Sequence, residues 1–171
     1  MLCSILIITF LIILAYLAIV YNQLVSLKNR SDNAWAQIDV NLKLRNDLIP
    51  ELERIAKDYS KYEKSTYKKI TELRSKIGDE KSVSKKYEYG EEMNGLIKDF
   101  FIVAENYPLL KANKAFLKLG EELSTVESNI AFKRQFYNDV VYKFNTLIMS
   151  FPSMIAGKLF NFKTMESFGG V

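Results

Sequence analysis

Hydrophobic residues along this chain first form one unbroken run and then recur at steps of three and four. The run is "MLCSILIITFLIILAYLAIV", Met1 to Val20, and it carries no charged side chain. About 20 residues at a rise of about 1.5 Å each give about 30 Å, which matches the hydrocarbon layer of a bilayer. The pattern predicts a transmembrane anchor over residues 1–21.

A cleaved signal peptide and a pilin-type amino terminus are the alternatives to a retained anchor. A signal peptide has Lys or Arg before a shorter apolar run and an A-x-A-like exit, and neither is present. A pilin-type segment carries a glutamate within the run, and this run has none. Because Lys28, Arg30, Lys43 and Arg45 follow the run, the positive-inside rule predicts a cytoplasmic carboxyl-terminal domain with the amino terminus outside.

Beyond the run, the spacing of apolar residues predicts four amphipathic helices. They cover about residues 22–59, 60–77, 91–106 and 111–150. The first helix continues from the anchor and is expected to bend at Pro50, which removes a backbone donor. Residues 78–92, "GDEKSVSKKYEYGEE", are predicted to be a charged connector. The expected fold is all-α: a single amino-terminal transmembrane helix continuing into an up-down antiparallel bundle over residues 22–150, followed by an apolar tail over 151–171.

The first and fourth helices are predicted to be much longer than the middle pair. Each has about 40 residues beyond the membrane, about 60 Å, and the middle two have less than half of that. The part of the hairpin nearer the membrane would then be a two-helix stalk, with Trp35, Ile38, Phe136 and Tyr137 partly uncovered. Such exposed apolar surface indicates a partner. Residues 151–162 of the tail would return to the membrane, with interface candidates Phe151, Met154, Ile155, Lys158, Leu159, Phe160 and Phe162.

Polar residues interrupt the apolar stripe of "NAWAQIDVNLKLRNDLIPEL", residues 33–52. Asn41 and Arg45 occupy positions that a buried stripe would give to Leu. Three interpretations of Arg45 stay open: it pairs with Glu127 or Glu122, it keeps its charge in water while its stem covers the core, or it binds a partner. The candidates for a partner-binding surface are Asn33, Trp35, Asp39, Arg45, Asp47, Glu127, Asn129, Arg134, Tyr137 and Asn138.

Composition argues against catalysis and against nucleic-acid binding. The chain has no His, and its one thiol, Cys3, lies within the predicted anchor, so Cys/His and Ser/His arrangements are not available. The net charge of +4 arises from interleaved charges, which is typical of a solvated helix face. We therefore expect no enzyme activity, cofactor, metal, nucleic acid or small-molecule substrate.

Two long blocks of the sequence resemble the LemA family of bacterial membrane-anchored proteins. They are "NAWAQIDVNLKLRNDLIPEL" and "YPLLKANKAFLKLGEELSTVESNIAFKRQFYNDVVYKFNTLIMSFPS". The tail also resembles the family's "FPSNLIAGLFGF" ending, although Met154 stands where Asn is common and Asn161 where Gly is common. The resemblance implies a helical bundle on a single span with its amino terminus outside, and it implies no established catalysis.

The function expected from these observations is that of a non-enzymatic scaffold or adaptor in a bacterial inner membrane. Its partners would be the lipid bilayer and either a second copy of the chain or another membrane protein. One alternative is membrane remodelling, since some LemA relatives take part in shaping magnetosome membranes. The other is an accessory subunit of a membrane peptidase or transporter.

Overall fold

The computed structural model describes the backbone of residues 2–59 and 64–169, and the side chains of these residues except 56–59 and 64–68. Within these ranges the chain forms six helices and no strand. The helices are α1 Leu2–Tyr59, α2 Lys64–Asp79, α3 Val83–Ala104, α4 Pro108–Lys111, α5 Lys114–Met149 and α6 Ser153–Leu159. The all-α fold with a long apolar amino-terminal helix is thus confirmed.

Helix α1 runs for 58 residues without interruption, from the apolar run into the bundle. Its most apolar 18-residue window has a mean hydropathy of 2.9, and among the described helices α1 alone is long and apolar enough to cross a membrane. Helix α1 continues for nine residues beyond Pro50, so the proline does not end the helix. Ile49 and Leu52, on both sides of the proline, are buried in one core, and this packing supports the continuous helix.

Helices α1 and α5 form an antiparallel hairpin that organises the rest of the fold. Rising residue numbers on α1 meet falling numbers on α5: Trp35 contacts Tyr137 with ring centroids 5.8 Å apart, and Gln37 accepts a hydrogen bond from Lys133 at 3.0 Å. Helices α2 and α3 pack against each other and against the part of the hairpin farther from the apolar run. The predicted up-down order of the helices is therefore observed.

The predicted connector over residues 78–92 is wrong for most of its length. Helix α3 begins at Val83, and the side chain of its N-cap residue Ser82 accepts a hydrogen bond from the Lys85 amide. The buried face of α3 includes Gly90 and Asn94. Because small and polar residues occupy these core positions, the apolar spacing that marks a helix is missing from this part of the sequence.

The other predicted helix ends need smaller corrections. The second helix was expected from Ser60; its described part begins at Lys64, and Ser60 lies outside the described residues. The fourth helix was expected from Lys111 without a break. Instead α4 ends there, and α5 starts afresh after Asn113, whose Oδ1 accepts from the amides of Ala115 and Phe116 at 2.8 and 3.2 Å.

The expected uncovered stalk is also wrong in its main point. Ile38 and Tyr137 are buried, although Trp35 is partly exposed and Phe136 is 43% exposed, as expected. Residues of the tail close this part of the hairpin: Phe168 is buried in the same cluster as Ile38 and Tyr137. The covering comes from the end of the tail, beyond residues 151–162, which the sequence assigned to the membrane.

Candidate functional site

A polar layer joins three helices in the middle of the bundle. Arg45 of α1 is only 2% exposed. Its Nη1 donates to Oδ1 of Asn94 on α3 at 2.7 Å and to Oε2 of Glu127 on α5 at 3.2 Å. Asn94 in turn donates through Nδ2 to Oε1 of Glu127. Of the open interpretations, pairing with Glu127 is observed, and a guanidinium held out in water is excluded.

The polar layer carries an energetic cost. Burial lowers the pKa of Arg45, while the negative charges of Glu127 and Glu91 act in the opposite direction. Nε and Nη2 of Arg45 are buried without a hydrogen-bond partner among the described residues. Gly90 provides the space for the guanidinium, because a Cβ at this position would stand 3.0 Å from Nη2. The layer therefore fixes the relative positions of α1, α3 and α5 more than it stabilises the fold.

A second group of charged side chains attaches the start of α3 to the hairpin. Asp39 accepts from Lys86 and forms an ion pair with Lys43 at 2.9 Å. The Lys86 ammonium also lies 5.8 Å from the Trp35 ring centroid. Burial raises the pKa of Asp39, but the hydrogen bonds and charges of Lys86 and Lys43 outweigh it, so the net shift is downward.

The carboxyl-terminal segment is held to α5 through its own backbone. Asn138 bonds to both the N–H and the C=O of Phe168, and Asn145 bonds in the same way to Met165. The Tyr137 hydroxyl donates to the carbonyl of Glu166 at 2.8 Å. We call this arrangement the tail lock.

An aromatic cage completes the tail lock. The Phe168 ring lies 5.6 Å from that of Trp35 and 5.2 Å from that of Tyr87, measured between centroids. Tyr87 also lies 5.4 Å from the guanidinium carbon of Arg134. These contacts bring α1, α3, α5 and the tail together around one buried side chain.

An open groove of about 1080 Å³ lies between α3 and α5. Arg45, Asn94 and Glu127 line it at the polar layer, and its other walls are mostly apolar. Ile102 and Leu117 border it and are 64% and 51% exposed. We call this feature the α3–α5 groove. A concave apolar surface of this kind suits the apolar face of a helix.

The structure separates the partner-binding candidates into two groups. Seven of them contribute to internal contacts, namely Trp35, Asp39, Arg45, Glu127, Arg134, Tyr137 and Asn138. The other three, Asn33, Asp47 and Asn129, are exposed and lie apart from the polar layer and the tail lock. The predicted surface is thus largely a set of residues that hold the chain's own elements together.

Sequence reasoning missed Asn94, Lys86, Asn145 and Phe168. The first two lie on or near the segment that was taken for a connector. Asn145 lies seven residues after Asn138 on the same helix, a spacing that places both near one helix face, and this was the available signal. Phe168 carried no signal, because its position depends on how the tail folds back.

The predicted membrane-interface residues lie in and around α6. Phe151, Ile155, Lys158, Leu159 and Phe160 are exposed, whereas Met154 and Phe162 are partly buried. Among the described residues, no group of three or more His, Cys, Asp or Glu side chains is placed to hold a metal ion.

These features place the chain among helical-bundle proteins whose first helix is apolar and long enough to serve as a membrane anchor. The chain belongs to the LemA family, whose sequence model matches residues 34–170. Protein LemA of Metamycoplasma hominis is 28% identical over 140 residues, which are 81% of this chain and 64% of that relative. The chain therefore spans somewhat less than two thirds of the relative's length. The matched residues include the polar layer, the tail lock and the α3–α5 groove.

Proposed function

We propose that this protein is a non-enzymatic, membrane-anchored adaptor. In this proposal, the apolar part of α1, residues 2–20, crosses a bacterial inner membrane with its amino terminus outside, and the bundle stands in the cytoplasm. The hydropathy of α1 supports the crossing, and Lys28 and Arg30 after the apolar run support the orientation.

The α3–α5 groove is the observation that carries the adaptor function. The tail covers the middle of the α1–α5 hairpin, whereas the groove leaves Ile102 and Leu117 exposed beside the buried ring of Phe116. Lys98 and Glu121 at the groove provide charges of both signs next to the apolar walls. The occupant that fits this arrangement is one amphipathic helix of a partner protein, with its apolar face toward Phe116.

The height of the groove supports a partner that is itself bound to the membrane. Arg45 lies 25 residues after Val20 on a continuous helix, which corresponds to about 37 Å. The bundle would therefore present the groove at a fixed distance from the bilayer, within reach of a short cytoplasmic segment of a neighbouring membrane protein.

Site-specific photocrosslinking of the full chain, in membranes of the cells that make it, tests the adaptor function. One chain carries a photoreactive residue at Leu117, and the matched control carries it at Phe132, which is 75% exposed and outside the groove. We expect a defined adduct with another polypeptide from position 117 and none from 132. Adding Ile102→Glu should abolish the adduct.

Two results would count against the adaptor function. An adduct of twice the chain's mass from position 117 would show that a second copy fills the groove. Equal adducts from 117 and 132, or none from either, would show that the groove is not a docking site.

A further inference from the structure

The end of the hairpin beside the apolar run carries apolar side chains that the fold turns outward. The chain leaves α5 at Met149, turns at Phe151 and Pro152, and enters α6. Phe151 is 79% exposed and Leu159 is 64% exposed, and Ile155 between them is also exposed. A folded chain in water rarely gathers so many exposed large apolar side chains at one end.

The position of α6 along α1 is fixed by packing. Ala156 is fully buried in one cluster with Val20 and Leu24, and Tyr16 and Leu17 pack against that cluster. The Phe160 ring lies 4.7 Å from that of Tyr21, centroid to centroid. Helix α6 therefore lies beside the last turns of the apolar run. If these turns lie in a bilayer, α6 lies at nearly the same depth.

Charge at this end of the molecule has a single sign. The segments over residues 2–31 and 140–165 contain five basic residues and no Asp or Glu. The basic residues are Lys28, Arg30, Lys143, Lys158 and Lys163. A surface with exposed apolar groups beside lysines is complementary to a bilayer with anionic headgroups.

We propose that α6 and its flanking turns form a second contact with the bilayer, on the leaflet where α1 leaves it. The side chains of Phe151, Ile155 and Leu159 enter the boundary between headgroups and hydrocarbon, and Lys158 and Lys163 contact phosphates of anionic lipids. This proposal rests on the proposed function in one respect, because it requires the apolar part of α1 to cross the membrane.

Because the tail lock holds residues 165–168 on α5, the second contact also fixes the bundle relative to the bilayer. Residues 150–164 form a closed loop between the end of α5 and the tail lock. The bilayer surface thus meets a preformed element rather than a free tail, which lowers the ordering cost of the contact.

Depth-dependent fluorescence quenching in lipid vesicles tests the second contact with the full chain. A fluorophore is placed at the native Cys3, or, in chains with Cys3→Ser, at Ile155→Cys or at Phe132→Cys. Vesicles of phosphatidylcholine and phosphatidylglycerol carry quenchers at defined depths of the lipid chains. We expect quenching at 3 and at 155, with position 155 shallow, and none at the control position 132.

The three positions distinguish the failure of each proposal. Quenching at 3 without quenching at 155 would overturn the second contact and leave the anchor in place. Absence of quenching at 3 would overturn the anchor, and the second contact would fall with it. Equal quenching at 132 and 155 would also contradict the second contact, because the bundle would then lie on the membrane as a whole.

Lipid preference tests the role of the lysines. With the quencher on phosphatidylglycerol instead of phosphatidylcholine, quenching at 155 should increase. Lys158→Gln together with Lys163→Gln should remove this preference, since each lysine near an anionic surface contributes about fivefold. The matched control is Lys114→Gln with Lys118→Gln at the far end of α5. An unchanged preference in the first variant would overturn the assignment of anionic lipid.

Discussion

Asn138 and Asn145 lie seven residues apart on α5, and each binds both backbone groups of a single residue in the tail. Asn138 accepts from Phe168 N–H at 2.8 Å and donates to its carbonyl at 2.9 Å; Asn145 makes both bonds to Met165 at 2.8 Å. Seven helical residues span about 10.5 Å, and three extended residues span about 10 Å. The helix therefore offers amide groups at the spacing at which an extended backbone needs them.

Removing these amides should release the tail. We expect Asn138→Ala and Asn145→Ala each to lower the free energy of unfolding by about 1–3 kcal/mol, because partly buried backbone groups lose their partners. Thermal unfolding in detergent micelles measures the loss, and trypsin cleavage after Lys163 measures the release. Asn129→Ala, at an exposed position, is the control. If the chain that carries both Asn138→Ala and Asn145→Ala were cleaved after Lys163 no faster than the unchanged chain, the tail lock would be contradicted.

The polar layer should respond unequally to the removal of its two charges. Glu127→Ala leaves Arg45 buried without its ion-pair partner and should cost about 3–5 kcal/mol. Arg45→Met leaves Glu127, whose side chain is 34% exposed and can be hydrated, and should change the stability by less than about 1.5 kcal/mol. Chemical unfolding in micelles measures both. Glu122→Ala, which breaks an exposed pair with Lys118, is the control. Equal losses for the first two variants would contradict this account.

Because of Asp39, the free energy of unfolding should depend on pH in the acidic range, below the ordinary pKa of an aspartate. Its pKa is lowered from the ordinary value of 3.8, so its ion pairs stabilise the fold above that value and stop doing so as pH falls through the lower folded value. We expect Asp39→Asn to cost about 1 kcal/mol at neutral pH. The difference between the two chains should disappear as pH falls below 3.8. Thermal unfolding from pH 7 to pH 2 measures it, and a difference that grows on acidification would contradict the assigned direction.

Two glycines on facing helices should respond oppositely to the same substitution. A Cβ at Gly120 would lie 3.0 Å from Cε1 of Phe101, so Gly120→Ala should displace this ring from its contacts with Phe100 and Phe116 and cost about 1–3 kcal/mol. At Gly95 a Cβ meets nothing within 4 Å. Gly95→Ala should therefore raise the stability by about 0.5–1 kcal/mol, the usual gain in a helix interior. The measured unfolding midpoints should move in opposite directions.

The spacing of buried apolar residues explains both where the sequence predicted the helices correctly and where it did not. Helices α1 and α5 bury large apolar residues at most of their core positions, so their spacing identified them even though Ser31, Asn41 and Arg45 are also buried on α1. The first two turns of α3, Val83 to Gly90, bury Gly90 instead, and the pattern there is indistinguishable from that of a polar connector; Asn94 is buried one turn later, in the part that was predicted to be helical. The missing apolar residues are a consequence of Arg45, since the space and the hydrogen bond that it requires come from these two positions.

The sequence predicted the candidate site only where the pairing of residues between α1 and α5 could be worked out from helix spacing. Antiparallel packing of α1 and α5 places Arg45 level with Glu127, so this pair could be named from the sequence. The third member, Asn94, lies in the helix predicted over residues 91–106, but its contact with Arg45 required knowing how that helix packs against α1. The tail lock depends on backbone groups of Met165 and Phe168, and backbone groups are the same in every sequence. No pattern of side chains could therefore indicate which residues α5 would hold.

The continuity of α1 has a mechanical consequence. Helix α1 continues for about 87 Å from the apolar residues of the proposed anchor to the far end of the bundle. Helix α5 packs along α1, and α6 packs beside the apolar run. If α1 crosses a bilayer as proposed, tilting α1 in the lipid would therefore move the bundle with it. In the proposed orientation, a small change in bilayer thickness at Leu2–Val20 would tilt α1 and produce its largest sideways displacement at Tyr59, the end of the helix farthest from the bilayer.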